Sequence, residues 1–237
     1  LNDAQIKAAF SILKEEHDLV ISAPTASGKT EAAFLPLVSK LIAEKNFRER
    51  QFIFYISPLK ALINDQWQRL DTLCKSNYVD VIPWHGDISA SVKKEIKRTK
   101  CAILLITPES MEAMLINRPE TAKRISPFIE SFVVDEFHAF IGQPRGEQLI
   151  SLMQRFSELS GNQIRKIALS ATIGDKARIA KALNPVDPFK VKHIDSSQNG
   201  QKIRLRVTGF EPPALSDEEH QSDEGERRII LRKFTTY

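Results

Sequence analysis

A glycine, a lysine and a threonine near the N-terminus have the types and spacing of a phosphate-binding loop. The segment 23–30, AlaProThrAlaSerGlyLysThr, follows a short apolar run and precedes a stretch with helical spacing, as such a loop requires. Lys29 can reach the β- and γ-phosphates of a nucleotide, and the Thr30 hydroxyl can ligate Mg²⁺. Backbone amides and the positive end of the helix can surround the β-phosphate. The nucleotide-binding residues predicted in this loop are Ala26, Ser27, Gly28, Lys29 and Thr30.

This loop departs from the usual GxxxxGK[ST] pattern at two positions. Ala23 replaces the first glycine, and Ala26 stands where another glycine is frequent. An ordinary strand-to-helix turn that contains GlyLysThr by chance is therefore an alternative. The motifs further along the chain have to decide between the two.

Two adjacent carboxylates follow another apolar run. Asp135 and Glu136 come directly after Ser131–Val134. The first acid can hold Mg²⁺, in part through water, because this ion keeps several waters and takes few protein ligands. The second can act as general base on the water that attacks the γ-phosphate. A pair of solvated acids on a turn is the alternative. We predict Lys29, Asp135 and Glu136 as catalytic residues, and Thr30 and Asp135 as Mg²⁺ ligands.

The composition is that of an ordinary globular domain. Hydrophobic residues make up 42% of the 237 residues and charged residues 27%, which excludes disordered, collagenous and coiled-coil chains. No apolar run reaches the roughly 18 residues of a membrane span, and no signal-peptide pattern is present. We therefore expect a soluble, cytoplasmic protein without a membrane partner. The formal net charge of +4 permits polyanion binding without demonstrating it.

Short apolar runs alternate with longer stretches of helical spacing along most of the chain. This alternation predicts an α/β fold with a parallel sheet whose strands are buried on both faces. Ligands of such sheets bind outside the carboxyl ends of the strands, and polar or glycine-bearing segments follow six of the runs. We predict that this edge is the active face. The predicted strands are 19–22, 51–56, 79–82, 101–106, 131–134, 166–169 and 190–194, and the predicted helices are 4–13, 29–42, 59–74, 92–97, 147–159 and 176–183.

Five motifs in this order resemble those of the superfamily 2 nucleic-acid helicases. They are AlaProThrAlaSerGlyLysThr, SerProLeuLysAlaLeu, ThrProGluSer, AspGluPheHis and LeuSerAlaThrIleGly, which match motifs I, Ia, Ib, II and III. AspGluPheHis, with ArgGly at 145 and 146, looks most like the Lhr (large helicase-related) group, and the Ski-type DExH group comes second. The resemblance covers roughly 1–183. It implies a three-layer RecA-like P-loop NTPase domain with a mainly parallel central sheet, which binds ATP and Mg²⁺.

The resemblance also assigns roles to residues outside the phosphate loop and the acid pair. Gln5 matches the glutamine that recognises adenine, with an exposed helix glutamine as the alternative. Ser170 and Thr172 match the motif that couples the nucleotide site to strand separation, with His138 as their linking partner. Short hydroxyls in such a motif can exchange hydrogen bonds between states at little steric cost.

Several strand ends carry groups that suit a sugar-phosphate backbone. Hydroxyls and helix N-terminal amides bind phosphates without reading bases, as a translocating motor requires. The threonine before Pro108 is also a good helix cap, and Arg145 could be an exposed loop arginine. Single-stranded DNA is the favoured partner and RNA the alternative. The predicted nucleic-acid contacts are Ser57, Pro58, Lys60, Gly86, Thr107, Ser110 and Arg145.

The chain contains the motifs of one motor half. We predict a RecA-like ATP-binding domain at 1–195 and a C-terminal extension at 196–237 that leads toward a second RecA-like domain. Superfamily 2 motors hydrolyse ATP between two such domains, so we expect the isolated chain to be weakly active or inactive. The leading hypothesis is the N-terminal motor domain of a DNA helicase or translocase. An RNA helicase, a defence or restriction motor and an ATP-gated binding scaffold remain alternatives.

Overall fold

The computed structural model describes residues 3–24, 28–43, 51–75, 79–84, 99, 101–171 and 175–195. Within these ranges seven strands form one sheet with helices on both faces, so the predicted three-layer α/β fold is confirmed. Every strand pair among the described residues is parallel, where the resemblance implied a mainly parallel sheet. All described residues lie in one compact unit spanning 1–198. The predicted extension 196–237 lies outside the described residues, and its boundary stays a prediction.

The order of the strands places the acid-pair strand β5 at the centre of the sheet and separates it from the phosphate-loop strand β1 by one strand. The order is β3-β4-β2-β5-β6-β1-β7, so β6 lies between β1 and β5. The strands are β1 (Asp18–Ser22), β2 (Gln51–Ile56), β3 (Asp80–Trp84), β4 (Cys101–Ile106), β5 (Ile129–Val134), β6 (Arg165–Ser170) and β7 (Val191–Asp195), and the helices are α1 (Asp3–Lys14), α2 (Lys29–Ala43), α3 (Lys60–Cys74), α4 (Pro108–Asn117), α5 (Pro119–Ile125), α6 (Pro144–Ser160) and α7 (Lys176–Leu183).

The central strands are buried on both faces, as their unbroken apolar sequences predict. β4 is buried along its whole length, and β2 is buried beyond its first residue. On one face Phe54 packs edge-on against Phe132 and Phe156, with ring centroids 5.9 and 5.3 Å apart. On the other face Phe34 of α2 packs against Tyr55. Burial of each such ring stabilises the fold by roughly 1.5–3 kcal/mol. Packing on both faces therefore holds the sheet, and the strand ends at its active edge, in place.

Several elements differ from the sequence-based prediction. β3 continues through Pro83, because it is the edge strand and a proline there breaks no ladder hydrogen bond. α6 begins at Pro144 rather than at 147, since proline is favourable in a first helical turn. A helix start was predicted after Thr107 but no C-terminal boundary, and the helix ends at Asn117. α5 was not predicted, because its seven residues are too short for a periodic pattern. The predicted helix 92–97 lies outside the described residues.

One arginine fastens the first helix to the sheet. Arg165 at the start of β6 donates to the backbone carbonyls of His17, Ile12 and Ser11 at 2.7, 3.1 and 3.2 Å. Carbonyls at a helix C-terminus lack partners within the helix, so a guanidinium is a favourable cap there. This contact fixes the end of α1, whose other end carries Gln5. None of the described helices combines the length and the apolar character needed to cross a membrane.

Candidate functional site

Backbone hydrogen bonds bring the predicted motifs to one edge of the sheet. The amide of Ala23 donates to the carbonyl of Ser170 at 3.1 Å, which joins the segments after β1 and β6. The amide of Asp135 donates to Ile56 at 2.8 Å, which joins the segments after β5 and β2. Ser57 donates to Ile106 at 3.0 Å in the same way. The predicted active face is therefore a continuous row of strand ends.

The phosphate loop leads into α2 through a glycine in a left-handed conformation. Gly28 has φ 81°, and an added Cβ would lie 2.5 Å from Nε2 of Gln5. The left-handed conformation favours glycine at this position, whereas the flexible end of the Gln5 side chain could move away from an added Cβ. The Lys29 ammonium donates to the carbonyls of Ala23 at 2.7 Å and Pro24 at 3.2 Å, so it lies over the loop. Ala26 and Ser27 lie outside the described residues, and their roles stay predictions.

Lys29 and the acid pair act on one another electrostatically. Burial lowers the pKa of Lys29, and the charges of Glu136 and Asp135 oppose this effect. A partly buried ammonium that faces two carboxylates is the charge arrangement that a nucleotide phosphate and its cation complement. The structure thus brings together the three residues predicted as catalytic, although they lie far apart in the sequence.

Asp135 is buried and held in place by two donors. The phenol of Tyr55 donates to its Oδ2, and the amide of Glu136 donates to Oδ1 at 3.0 Å. Burial, followed by the charge of Asp135, raises the pKa of Tyr55 well above its ordinary value, so the phenol stays protonated and continues to donate. The sequence analysis missed Tyr55. Its signal was a tyrosine inside an apolar strand, because a buried phenol needs a hydrogen-bond partner.

Glu136 has the one positive φ among the described non-glycine residues, at 45°. Such a conformation costs on the order of 1–3 kcal/mol and is typical of functional sites. Its Oε2 is buried and accepts no hydrogen bond within the described ranges. Nδ1 of His138 lies 3.3 Å from that oxygen without hydrogen-bond geometry. One oxygen of the Glu136 carboxylate is therefore not engaged by a hydrogen bond from the described residues.

The oxygen donors at this edge fit Mg²⁺. This ion is usually bound by one or two protein oxygens together with substrate phosphates and water. The Thr30 hydroxyl in the first turn of α2 and the Asp135 carboxylate are such oxygens, and the buried Oε2 of Glu136 lies in the same acid pair. These residues would hold the ion without any nitrogen or sulfur ligand, as a hard cation prefers.

Two further predicted residues adjoin the loop. Nε2 of Gln5 donates to the Gly28 carbonyl at 3.4 Å, which places the amide beside the nucleotide loop. Ser170 is fully buried at the end of β6, between the loop and the acid pair. His138 is exposed in the short 3₁₀ turn Phe137–Ala139. Thr172 lies outside the described residues, so the coupling role stays a prediction. Adenine recognition by Gln5 also stays a prediction.

The segment after β2 exposes a lysine at the start of α3. Ser57 is fully buried, and its hydroxyl donates to the Leu59 carbonyl at 3.3 Å. Pro58 is also buried, whereas Lys60 is exposed. The cap residue Leu59 provides no side-chain hydrogen bond to the amides of the first turn of α3. In this segment the exposed lysine and the helix amides, rather than the serine hydroxyl, are suited to a phosphate.

The segment after β4 is a capped helix start. The Thr107 hydroxyl accepts a hydrogen bond from the amide of Ser110 at 3.3 Å, and the two hydroxyls lie 3.2 Å apart. Pro108 occupies the first turn of α4. The capping interpretation is therefore correct in the structure, and it leaves a nucleic-acid contact as a prediction. Gly86 lies outside the described residues.

Arg145 is a helical residue with a bidentate partner. It lies in the first turn of α6, and its Nε and Nη2 donate to the Glu109 carboxylate at 2.7 and 3.0 Å. Its guanidinium also lies 5.6 Å from the centre of the Phe140 ring. Burial would raise the pKa of Glu109, but the Arg145 hydrogen bond and other nearby donors lower it overall. The alternative of an exposed loop arginine is wrong, because Pro144 starts the helix one residue earlier, and the predicted nucleic-acid contact stays a prediction.

A match to a family model spans most of this sheet and its active edge. Residues 2–179 match the model described as DEAD/DEAH box helicase. The chain belongs to the DEAD/DEAH box helicase family. The match includes the phosphate loop, the acid pair and the segments after β2 and β4, so the order of motifs in the sequence is confirmed as that of a helicase domain.

Curated relatives place this helicase domain with the Lhr type. It is 33% identical over 189 residues to the ATP-dependent helicase Lhr-Core protein 2 of Thermococcus barophilus, covering 73% of this chain and 21% of the relative. It is also 33% identical over 213 residues to the Lhr helicase/uracil glycosylase of Escherichia coli, covering 82% of this chain and 14% of the relative. The predicted Lhr resemblance is confirmed, and the chain spans about a fifth or less of these relatives.

Solved structures agree with the fold. The helicase domain matches the structure of Mycobacterium smegmatis helicase Lhr bound to ssDNA and AMP-PNP, with a TM-score of 0.69, 28% identity, and coverage of 81% of this chain and 25% of that one. It matches the DEAD-box helicase Mss116 with a TM-score of 0.68 at 19% identity, covering 83% of this chain and 40% of that one. The second likeness shows the RecA-like fold alone.

Proposed function

We propose that this domain is the ATP-binding half of a nucleic-acid-dependent ATPase motor, which binds Mg-ATP and the sugar-phosphate backbone of a single strand. The observation that carries the proposal is the meeting of Lys29 with Asp135 and Glu136 at one sheet edge, where their charges act on one another. A role of Glu136 as general base is supported by its Oε2, which accepts no hydrogen bond among the described residues.

The loop and the acid pair divide the work at the γ-phosphate. Lys29 exchanges the carbonyls of Ala23 and Pro24 for the β- and γ-phosphate oxygens. Asp135, oriented by the Tyr55 phenol, and the Thr30 hydroxyl would hold Mg²⁺. When bound, this ion neutralises phosphate charge and orients the γ-phosphate. Glu136 takes a proton from the attacking water.

The ends of β2 and β4 grip the nucleic-acid backbone. Lys60 is exposed beside first-turn amides of α3 that have no side-chain cap, and a helix N-terminus with a nearby lysine suits a phosphate. Such contacts position a strand without reading its sequence. We favour single-stranded DNA, because the similar helicase Lhr of M. smegmatis was solved bound to ssDNA.

A second RecA-like domain of the complete protein completes the motor. In motors of this kind an arginine from outside the first domain stabilises the transition-state charge, an effect worth roughly 10³-fold or more in rate. The relatives are several times longer than this chain and leave ample length for such a domain. The domain alone then binds ATP weakly and turns it over little.

The test is ATP hydrolysis by the complete protein with single-stranded DNA, single-stranded RNA or neither, at increasing salt. We expect DNA to raise the rate most and the concentration for half-maximal stimulation to rise steeply with salt. Unstimulated and stimulated rates that are equal would contradict a nucleic-acid-dependent motor. A larger effect of RNA would favour an RNA helicase, and ATP binding without hydrolysis would favour a binding scaffold.

A further inference from the structure

The residue after the proposed Mg²⁺ ligand Thr30 forms an ion pair with another helix. Glu31 lies in the first turn of α2, and its Oε1 contacts Nη2 of Arg69 on α3. The other oxygen, Oε2, is buried without a hydrogen bond within the described ranges, so the pair with Arg69 dominates the surroundings of this carboxylate. The contact joins the two helices directly, next to the nucleotide loop.

A cavity that is open to solvent lies beside this pair and is lined by residues of both helices. Its volume is about 430 Å³. A space of this size lacks the packed side chains that would otherwise transmit a displacement from one helix to the other. The ion pair is therefore the direct polar link between the two helices beside it. The residues that line the cavity include Thr30, Glu31, Phe34, Arg69, Leu70 and Leu73.

The far end of α3 is the segment proposed to grip nucleic acid. Lys60 begins this helix, and Trp67 in its middle donates to the Val81 carbonyl of β3 at 3.0 Å. Arg69 lies two residues beyond that tryptophan, and its charge also acts on the phenol of Tyr55, the donor to Asp135. Arg69 thus contacts the helix that carries Thr30, and its charge also acts on the tyrosine that donates to Asp135.

We propose that Arg69 is a positioning residue that couples nucleic-acid binding at the start of α3 to ATP hydrolysis. Through Glu31 it sets the first turn of α2, and therefore the Thr30 hydroxyl, relative to Asp135. A phosphate bound at the start of α3 fixes the position of the helix, and the ion pair carries that position to α2. This inference rests on the proposed ATPase function and extends it to a named link between the two sites.

The experiment uses the complete protein and measures ATP hydrolysis with and without saturating single-stranded DNA. We expect Arg69→Gln to lower the ratio of stimulated to unstimulated rate by at least about fivefold. Glu31→Gln should lower it equally, and the double variant no further, because both changes remove one contact. Arg69→Lys should recover part of the ratio. Arg155→Gln, at an exposed position on α6, is the matched control and should keep the full ratio.

The outcomes distinguish failure of the coupling role of Arg69 from failure of the proposed ATPase function. Arg69 has a side chain that is 54% exposed, so its loss should leave the melting temperature close to that of the unsubstituted protein. A purely structural role would change stimulated and unstimulated rates in parallel and would overturn the inference. A full ratio in Arg69→Gln would overturn the coupling while the ATPase function stands. No stimulation of the unsubstituted protein would overturn both.

Discussion

The proposed nucleotide end and the proposed nucleic-acid face of this domain use their polar residues in opposite ways. At the nucleotide end, defined by Lys29, Thr30, Asp135 and Glu136, charged side chains face one another, and the buried Glu136 Oε2 accepts no hydrogen bond within the described ranges. On the nucleic-acid face, several polar side chains are already bonded within the protein. That face is defined by Ser57, Pro58, Lys60, Thr107, Ser110 and Arg145.

This difference follows from the chemistry of each end. Phosphoryl transfer needs charge and a base, which only side chains supply. A grip on a sugar-phosphate backbone can use helix amides, which every residue supplies. On the nucleic-acid face the side chains of Thr107 and Arg145 therefore build the helix starts that present those amides. Substitutions should change turnover at the nucleotide end and stability or salt dependence on the nucleic-acid face.

Lys29→Ala should have the largest effect. Its ammonium is positioned to stabilise charge on the β- and γ-phosphates, so ATP hydrolysis by the complete protein should fall on the order of 10³-fold. The measurement is the steady-state rate with saturating single-stranded DNA. Lys181→Ala, at an exposed position on α7, is the matched control. Equal rates in the two variants would remove the distinction between the nucleotide end and the rest of the surface.

Gly146→Ala should destabilise the fold at the nucleic-acid face without removing a side chain that binds nucleic acid. An added Cβ would lie 2.0 Å from the Phe140 carbonyl oxygen, so α6 has to shift, at a cost of about 3 kcal/mol. Thermal unfolding of the complete protein measures the loss. Gly161→Ala is the comparison, because that glycine has open space and a φ of 75°, which costs roughly 1–2 kcal/mol. A lower melting temperature for Gly161→Ala than for Gly146→Ala would contradict the predicted clash with the Phe140 carbonyl.

Tyr55→Phe should weaken the nucleotide end without removing it. Loss of a buried donor to a carboxylate costs roughly 1.5–3 kcal/mol of stability, and Asp135 becomes less well oriented. We expect a higher Mg²⁺ concentration for half-maximal hydrolysis. Because the pKa of Tyr55 is raised well above its ordinary value, the unsubstituted protein should show no alkaline change in rate from this phenol. An unchanged Mg²⁺ requirement would show that Asp135 needs no such support.

Thr107→Ala and Lys60→Ala should separate capping from phosphate contact on the same face. Loss of the Thr107 cap costs about 1 kcal/mol of stability, and Thr107→Ser should restore it. Lys60→Ala should leave stability nearly unchanged but lower the slope of log affinity against log salt by about one. The check is binding of labelled single-stranded DNA over a salt series. A lower slope in Thr107→Ala would make its hydroxyl a phosphate contact.

Glu109→Gln should have the smallest effect, and that effect should depend on pH. The folded-state pKa of Glu109 is lowered, so the carboxylate contributes stability above its ordinary pKa, and the contribution is lost as the pH falls through the folded value. We expect the variant to melt slightly earlier than the unsubstituted protein near neutral pH and at the same temperature in strong acid. A constant difference at all pH values would mean that the charge is unimportant.

The sequence predicted the strands well because buried parallel strands have a strong local signal. The bounds of β2 and β4 were predicted as they are found, and the acid pair was recognised because it follows such a strand. The seven-residue α5 was missed, since about two turns carry too little periodicity. Local pattern therefore identified the positions of the catalytic groups more reliably than the elements between them.

Long-range pairs could not be predicted from sequence. Arg145 and Glu109 meet across 36 residues, and Tyr55 and Asp135 across 80, because the strand order brings their elements together. The strand order depends on packing of the whole sheet, which no short segment contains. A buried tyrosine signals that a partner exists, but the partner becomes known only from the fold.

The central claim is that Glu136 is the general base, and Glu136→Gln in the complete protein tests it most directly. Binding of a labelled ATP analogue and hydrolysis with saturating single-stranded DNA should be measured on the same preparation, with Glu120→Gln on the exposed start of α5 as control. We predict that Glu136→Gln binds the analogue as tightly as the unsubstituted protein and hydrolyses ATP at least about 10²-fold more slowly. Undiminished hydrolysis in Glu136→Gln would contradict the assignment.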